Sequence, residues 1–178
     1  MKSRKRHNVF RFRWSVPILS EISHQDGARF VTILNRIGIS RSVLSSTLGK
    51  LVEDGLVMRN PGYGHPLRPE YLLTPDGRKI APFCTDLLNC AEERKALRLV
   101  QSRWALRILF LLVGPGTRFS ELRARLAPIT PRALSEELKL LSSEGYITRV
   151  IIDDYPPIAI YQLTKKSEPF ISILERHI

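Results

Sequence analysis

The sequence predicts a mainly α fold with small β-hairpins, built twice in tandem and joined by helices. Three observations predict it. A pattern of apolar, glycine and turn residues recurs at an offset of 89 or 90 positions across the 178-residue chain. Within each copy, apolar residues first keep three- and four-residue spacing and then alternate in short β-branched and aromatic runs. The net charge is +11, from 28 Lys and Arg against 17 Asp and Glu, and such a surface draws polyanions because each neutralised phosphate releases counterions.

The elements follow in order. Trp14-Ser-Val-Pro-Ile18-Leu19 answers Trp104-Ala-Leu-Arg-Ile108-Leu109, and the spacing predicts a first helix over 14–22 and 102–113. A loop containing Gly27, or Gly114 and Gly116, leads to a short helix over 30–36 and 119–126, with Ser120 placed to cap the second of these ahead of Glu121. Ser40 and Thr130 are the next expected caps. Behind them Val43, Leu44, Thr47, Leu48 and Leu51 repeat as Ala133, Leu134, Glu137, Leu138 and Leu141, with Thr47 and Glu137 the polar members of each stripe. Gly55 and Gly145 end those helices, since a left-handed residue commonly terminates a helix. Strands are then expected at 56–60 and 70–74 around the Pro/Gly-rich loop 61–69, and at 146–152 and 158–164 around 153–157. Helix, short helix, helix and β-hairpin is the winged helix-turn-helix order. Thr74-Pro75 and Thr164 each lead into a further helix.

The repeat divides the chain into a first domain over 1–89, with a basic N-terminal arm, and a second over 90–178. The first holds 14 basic and 7 acidic residues, the second 14 and 10. Lys2, Arg4, Lys5, Arg6, Arg11 and Arg13 form the arm, read either as a phosphate-contacting segment or as a solvated tail. No run of apolar residues is long enough for a membrane span, and the basic start is followed by Phe10-Arg11-Phe12-Arg13 rather than an apolar signal segment. Two cysteines, Cys84 and Cys90, make no disulfide framework, and a reducing, cytoplasmic and nucleoid-associated setting fits.

The motifs Trp-x-x-x-Ile-Leu, Arg118-Phe-Ser-Glu-Leu122, Ile129 to Leu141, Glu-x-Gly-Tyr/Leu-Ile and Tyr-x-Leu-Thr together resemble the HxlR-type winged-helix transcriptional regulators. The resemblance covers nearly the whole chain, twice, and is best in the second copy. It implies a bacterial or archaeal transcription regulator that normally carries one such domain per chain and dimerises through its terminal helices. This chain departs from that pattern by holding two domains, and by placing the basic run Lys2–Arg13 where the usual N-terminal helix stands. A tandem that mimics a dimer, with residues 75–100 supplying the intervening helices, is the arrangement expected.

Double-stranded DNA is the expected partner. A helix in the major groove needs donors near its N-terminus and small residues that allow close approach. The first copy offers Ser40, Arg41, Ser42, Ser45, Ser46 and Lys50, and the second Thr130, Arg132, Ser135, Glu136 and Lys139. The alternative is that the hydroxyls, Ser40 and Thr130 above all, are caps and exposed helix surface, and that Glu136 repels phosphate rather than accepting from cytosine. Arg29 and Arg118, ahead of the preceding helices, are expected phosphate contacts. The first wing carries Arg59, Tyr63, His65 and Arg68, suited to phosphate or the minor groove, whereas the second is acidic at Asp153 and Asp154. Copy one is therefore the expected DNA reader, and copy two a weaker reader or the side that meets a second chain or another protein.

The four histidines, His7, His24, His65 and His177, share no metal-ligand spacing with the cysteines, so no metal or other cofactor is expected. No phosphate loop, nucleophile elbow or carboxylate pair suggests an enzyme. Cys90 lies 14 positions before Trp104, near where members of the resembled family carry a redox-sensing cysteine. Arg94 and Lys95 would make it reactive if it were exposed, while a buried structural role is the competing expectation. Three functions thus stand: a DNA-binding regulator, a winged-helix protein-interaction scaffold, and a redox-switched regulator.

Overall fold

The structure, a computed structural model, describes residues 9–60, 70–153, 155 and 157–177. It divides into two compact units, Met1–Gln101 and Ser102–Ile178. The first contains α1 (Ser15–His24), α2 (Phe30–Ile37), α3 (Arg41–Glu53), β1 (Val57–Arg59), β2 (Tyr71–Leu73), α4 (Pro75–Glu93) and α5 (Leu97–Gln101). The second contains α6 (Ala105–Leu111), β3 (Thr117–Arg118), α7 (Phe119–Arg125), α8 (Pro131–Ser143), β4 (Ile147–Ile152), β5 (Ile158–Leu163), a 3-10 turn at Lys165–Ser167 and α9 (Glu168–His177). Position 89/90, where the repeat divides, falls inside α4, and the units separate at Gln101/Ser102. No described helix is long and apolar enough to cross a membrane.

The two cores are the same set of positions. Ile18, Leu19, Ile33, Leu44, Leu48 and Leu51 are at most 1% exposed in the first unit. Their counterparts Ile108, Leu109, Leu122, Leu134, Leu138 and Leu141 are at most 2% exposed in the second. Each such side chain contributes about 1.5–3 kcal/mol by leaving water. The polar members of the stripe are accommodated locally. Thr47 donates to the Val43 carbonyl at 2.8 Å, and Glu137 accepts from the Ser102 hydroxyl at 3.1 Å.

The turn after α3 and α8 is built identically. Gly55 and Gly145 take φ of +68° and +75°, a region L-residues avoid. That lets the Leu56 and Tyr146 amides return to the Leu51 and Leu141 carbonyls at 2.9 Å each. The returning chain is then clamped by Thr74 and Thr164, whose hydroxyls donate to the Gly55 and Gly145 carbonyls at 2.7 and 2.6 Å.

Two expectations need correction, and the expected hairpin of copy two gains a strand. The first helix of copy two is shorter than the expected 102–113, since α6 covers only Ala105–Leu111 and is separated from α5 by residues 102–104. The Ser102 hydroxyl accepts from the Trp104 and Ala105 amides at 3.1 Å each, which restarts the helix. Ser120 is not the cap of α7. Arg118 is, in extended backbone and without a side-chain cap bond, because it is still part of β3 when the helix begins. Finally, the hairpin of copy two is the major part of a three-stranded sheet of order β3-β5-β4, with Thr117 opposite Tyr161 and Ile147 opposite Leu163. The same place in copy one holds a single bridge, Ala28 opposite Tyr71, beside the two-stranded β1-β2 hairpin.

Candidate nucleic-acid interface

Helix α3 buries Leu44, Thr47, Leu48 and Leu51 on one side, so the other side is left to solvent. Ser40, Arg41, Ser42, Ser45, Ser46 and Lys50 are all exposed, and the fold gathers them on that outer side. Helix α8 repeats this with Thr130, Arg132, Ser135, Glu136 and Lys139, all exposed over a buried Leu134, Leu138 and Leu141. Arg29 and Arg118 are exposed at the N-caps of α2 and α7. Unpaired amides and the helix dipole make such an end favourable for phosphate.

Ser40 and Thr130 are engaged as caps. Their hydroxyl oxygens accept from the Val43 and Ala133 amides at 3.3 and 3.2 Å, a role that typically contributes about 1 kcal/mol. Ser40 is also 3.1 Å from the Ser42 hydroxyl.

The arginines of the two faces differ. The Arg41 guanidinium lies 6.0 Å from the Phe30 ring centre. Arg132 instead donates through Nε to Glu136 Oε1 at 2.8 Å, one turn along the same helix. That hydrogen bond and the carboxylate charge raise the Arg132 pKa further, so the guanidinium stays charged and is already partnered. The helices also fall out of step outwardly. At the repeat offset of 90, Arg41 stands opposite Pro131, Ser42 opposite Arg132, Ser46 opposite Glu136 and Gly49 opposite Lys139, and only Ser45 and Ser135 agree.

At the far end of α3 the chain adds a feature that sequence reading left open. Lys50 Nζ lies 4.9 Å from the centre of the Phe12 ring, and Arg11 is 3.8 Å from Asp54. Val9 and Phe10 are buried, with the Phe10 ring edge-on to Phe83 at 6.0 Å. The end of the basic run is therefore packed beside α3. The signal was the alternation Phe10-Arg11-Phe12-Arg13, in which the aromatic residues anchor and the arginines remain at the surface.

Arg59 is exposed at the base of the first wing and paired with Glu70 at 2.7 Å. Tyr63, His65 and Arg68 lie outside the described residues. The second wing leaves Val150, Ile151, Ile152 and Tyr155 exposed, Tyr155 completely. Asp153 is exposed beside them.

Cys84 and Cys90 are both free and buried, with Cys90 9% exposed. Burial pushes the Cys84 thiol far above its ordinary range. Cys90 thus lacks the exposure on which activation by Arg94 and Lys95 depends. Among the described residues no group of three or more His, Cys, Asp or Glu side chains is arranged to hold a metal ion.

The chain is similar to several regulators, each over about half of its length. The uncharacterized HTH-type transcriptional regulator YvaP of Bacillus subtilis is 38% identical over 85 residues, 48% of this chain and 79% of the relative. The uncharacterized HTH-type transcriptional regulator BH0655 of Halalkalibacterium halodurans is 35% identical over 80 residues, 44% of this chain and 71% of the relative. Among solved structures, the reduced form of the transcriptional regulator YodB from Bacillus subtilis is 26% identical and covers 49% of this chain and 85% of its own, with a TM-score of 0.44. The profile of the HxlR-like helix-turn-helix family matches twice, over residues 9–96 and 99–177. Matched over both halves, this chain belongs to the HxlR-like helix-turn-helix family.

Proposed function

We propose that the chain is a transcription regulator that binds double-stranded DNA, with α3 and α8 as its recognition helices and the two copies standing for the two halves of a dimer. One observation carries the reading: in both copies a buried leucine stripe turns a small, polar, exposed face outward from the second helix of a helix-turn-helix. The net charge of +11 supports it, as do relatives named as HTH-type transcriptional regulators. In this reading Arg41, Ser42, Ser45 and Ser46 meet base edges, Lys50, Arg29 and Arg118 meet phosphates, and the first wing lies on the backbone or minor groove. Fluorescence anisotropy with fragments selected from genomic DNA, at graded salt, tests it. A steep fall of affinity with salt is expected, and a joint Arg41→Ala, Arg132→Ala substitution should weaken and blur selection. Salt-independent binding, or no effect of the pair, would falsify the assignment.

A protein-docking role for the second copy is the other reading, and the second wing favours it. Ile151 is 62% exposed and Tyr155 completely so, beside the acidic Asp153. An apolar and acidic tip suits a protein surface better than a phosphate backbone.

A further inference from the structure

We propose that the first unit holds a binding site for a small organic cation, a protonated amine carried on an apolar body. The site is a cavity of about 400 Å³ lined from α1, α2, α4 and α5, a volume suited to small ligands.

Glu21 decides its chemistry. The side chain lines the cavity at only 10% exposure, and its Oε1 has no hydrogen-bond donor. A carboxylate withdrawn from water needs donors for both oxygens. Arg36 provides for one of them: Nη1 donates to Oε2 at 3.4 Å. Its Nε is 3.3 Å from Oε1 but is not aligned to donate. Well-made charge-assisted bonds are about 2.7–2.9 Å long, so this pair is loose. Arg36 is also 55% exposed and can turn outward at little cost.

The remaining walls select a cation with an apolar body. Glu92 brings a second carboxylate, Trp14 an indole and Leu88 an aliphatic surface. Ring faces attract cations, and the Trp14 ring already has the Arg13 guanidinium 5.1 Å from its centre. Among the lining acids and guanidinium, Glu21 and Glu92 stand against Arg36, with His24 also on the wall. Arg36 thus occupies the place of the ligand's cation and competes with it. Because Arg36 belongs to α2, an occupied site reaches the helix that leads into α3.

Isothermal titration calorimetry on the full chain at pH 8, without DNA, tests the site with 2-phenylethylamine, 2-phenylethanol and phenylacetate as probes. The amine is expected to bind at least about tenfold more tightly than the alcohol, and phenylacetate more weakly than either. Glu21→Gln should lower amine affinity by about tenfold or more. Arg36→Gln should raise it by roughly threefold, because the internal competitor is gone. No binding of the amine at millimolar concentration, or alcohol or phenylacetate binding as tightly as the amine, overturns the site. Should Glu21→Gln fail to fold, Arg36→Gln decides: an affinity unchanged or lowered also overturns it. Nothing in this measurement depends on DNA, so it stands or falls apart from the regulator reading.

Discussion

Leu44 and Leu134 occupy the same step of the same helix in the two copies, and both are fully buried. Two positions beyond each, on the outer side, Ser46 and Glu136 share a step and nothing else. Of the six core pairs compared, five carry the same residue and the sixth exchanges Ile33 for Leu122, while of the outward positions compared on α3 and α8 only Ser45 and Ser135 coincide. Packing constrains the first set, since interiors tolerate little change of volume. Solvent imposes no such limit on the second. In the proposed function the tandem is therefore a dimer with unlike halves, and genomic fragments selected by the protein should contain two different half-sites rather than a palindrome.

The deepest test of this comparison is to break the shared part. Leu44→Ala and Leu134→Ala should each cost about 2–5 kcal/mol in their own unit, and by similar amounts, because both side chains are fully enclosed. Urea denaturation followed by circular dichroism measures this. A cost below about 1 kcal/mol in one unit would mean that its core is packed less tightly than its burial implies.

A second test lies where the copies solve one problem in two ways. A Cβ on Gly77 would stand 2.0 Å from the Leu56 carbonyl oxygen, a backbone atom that cannot step aside. Its counterpart at offset 90 is Ser167, whose hydroxyl donates to the corresponding Tyr146 carbonyl. The 3-10 turn Lys165–Ser167 provides room that the direct start of α4 at Pro75 does not. Gly77→Ala should destabilise the first unit by about 1–3 kcal/mol through overpacking. Ser167→Ala should cost about 1 kcal/mol, the worth of one hydrogen bond. Thermal unfolding of the two variants ranks them, and equal costs would contradict the difference in geometry.

Binding should separate the copies next. Arg41→Ala is expected to lose roughly 1–3 kcal/mol of discrimination at the half-site read by α3. Arg132→Ala should change affinity by only about twofold, because that guanidinium is already held by Glu136. Anisotropy titrations against matched and mismatched half-sites distinguish them. A larger loss from Arg132 would invert the assignment of the first copy as the principal reader.

Much of this was legible because it is periodic. The leucine stripes, the terminating glycines and the caps at Ser40 and Thr130 all announce themselves by spacing. Strand β3 does not, since two residues carry no period, and its counterpart in copy one shrinks to a bridge at Ala28. The restart at Ser102 depends on one hydroxyl accepting two amides, which no apolar pattern signals. The outward residues of α3 and α8 could be nominated from residue type, but not their partners: Arg132 and Glu136 read as two separate DNA donors and acceptors until the structure joined them. The Glu21 cavity was out of reach altogether, because its walls come from four helices spread over residues 14–101.

The finest test exchanges Ser46 and Glu136, outward residues at a shared step of which only the second carries a negative charge. Ser46→Glu adds a carboxylate to copy one, where Ser42 rather than an arginine stands one turn back. Lys50, one turn ahead, can pair with it, and that pairing draws the lysine away from the phosphate contact proposed for it. DNA affinity should fall by roughly three- to tenfold, with the largest change at low salt where screening is weakest. Glu136→Ser does the reverse, freeing Arg132 and removing a negative charge, and affinity should rise by about two- to threefold. Folding stability should move by no more than about 0.5 kcal/mol in either case, since both positions are exposed. Anisotropy titrations at two salt concentrations read both effects on the same fragment. If the first substitution weakens binding and the second leaves it untouched, α8 does not face DNA, and the second copy is the protein-docking half of the tandem.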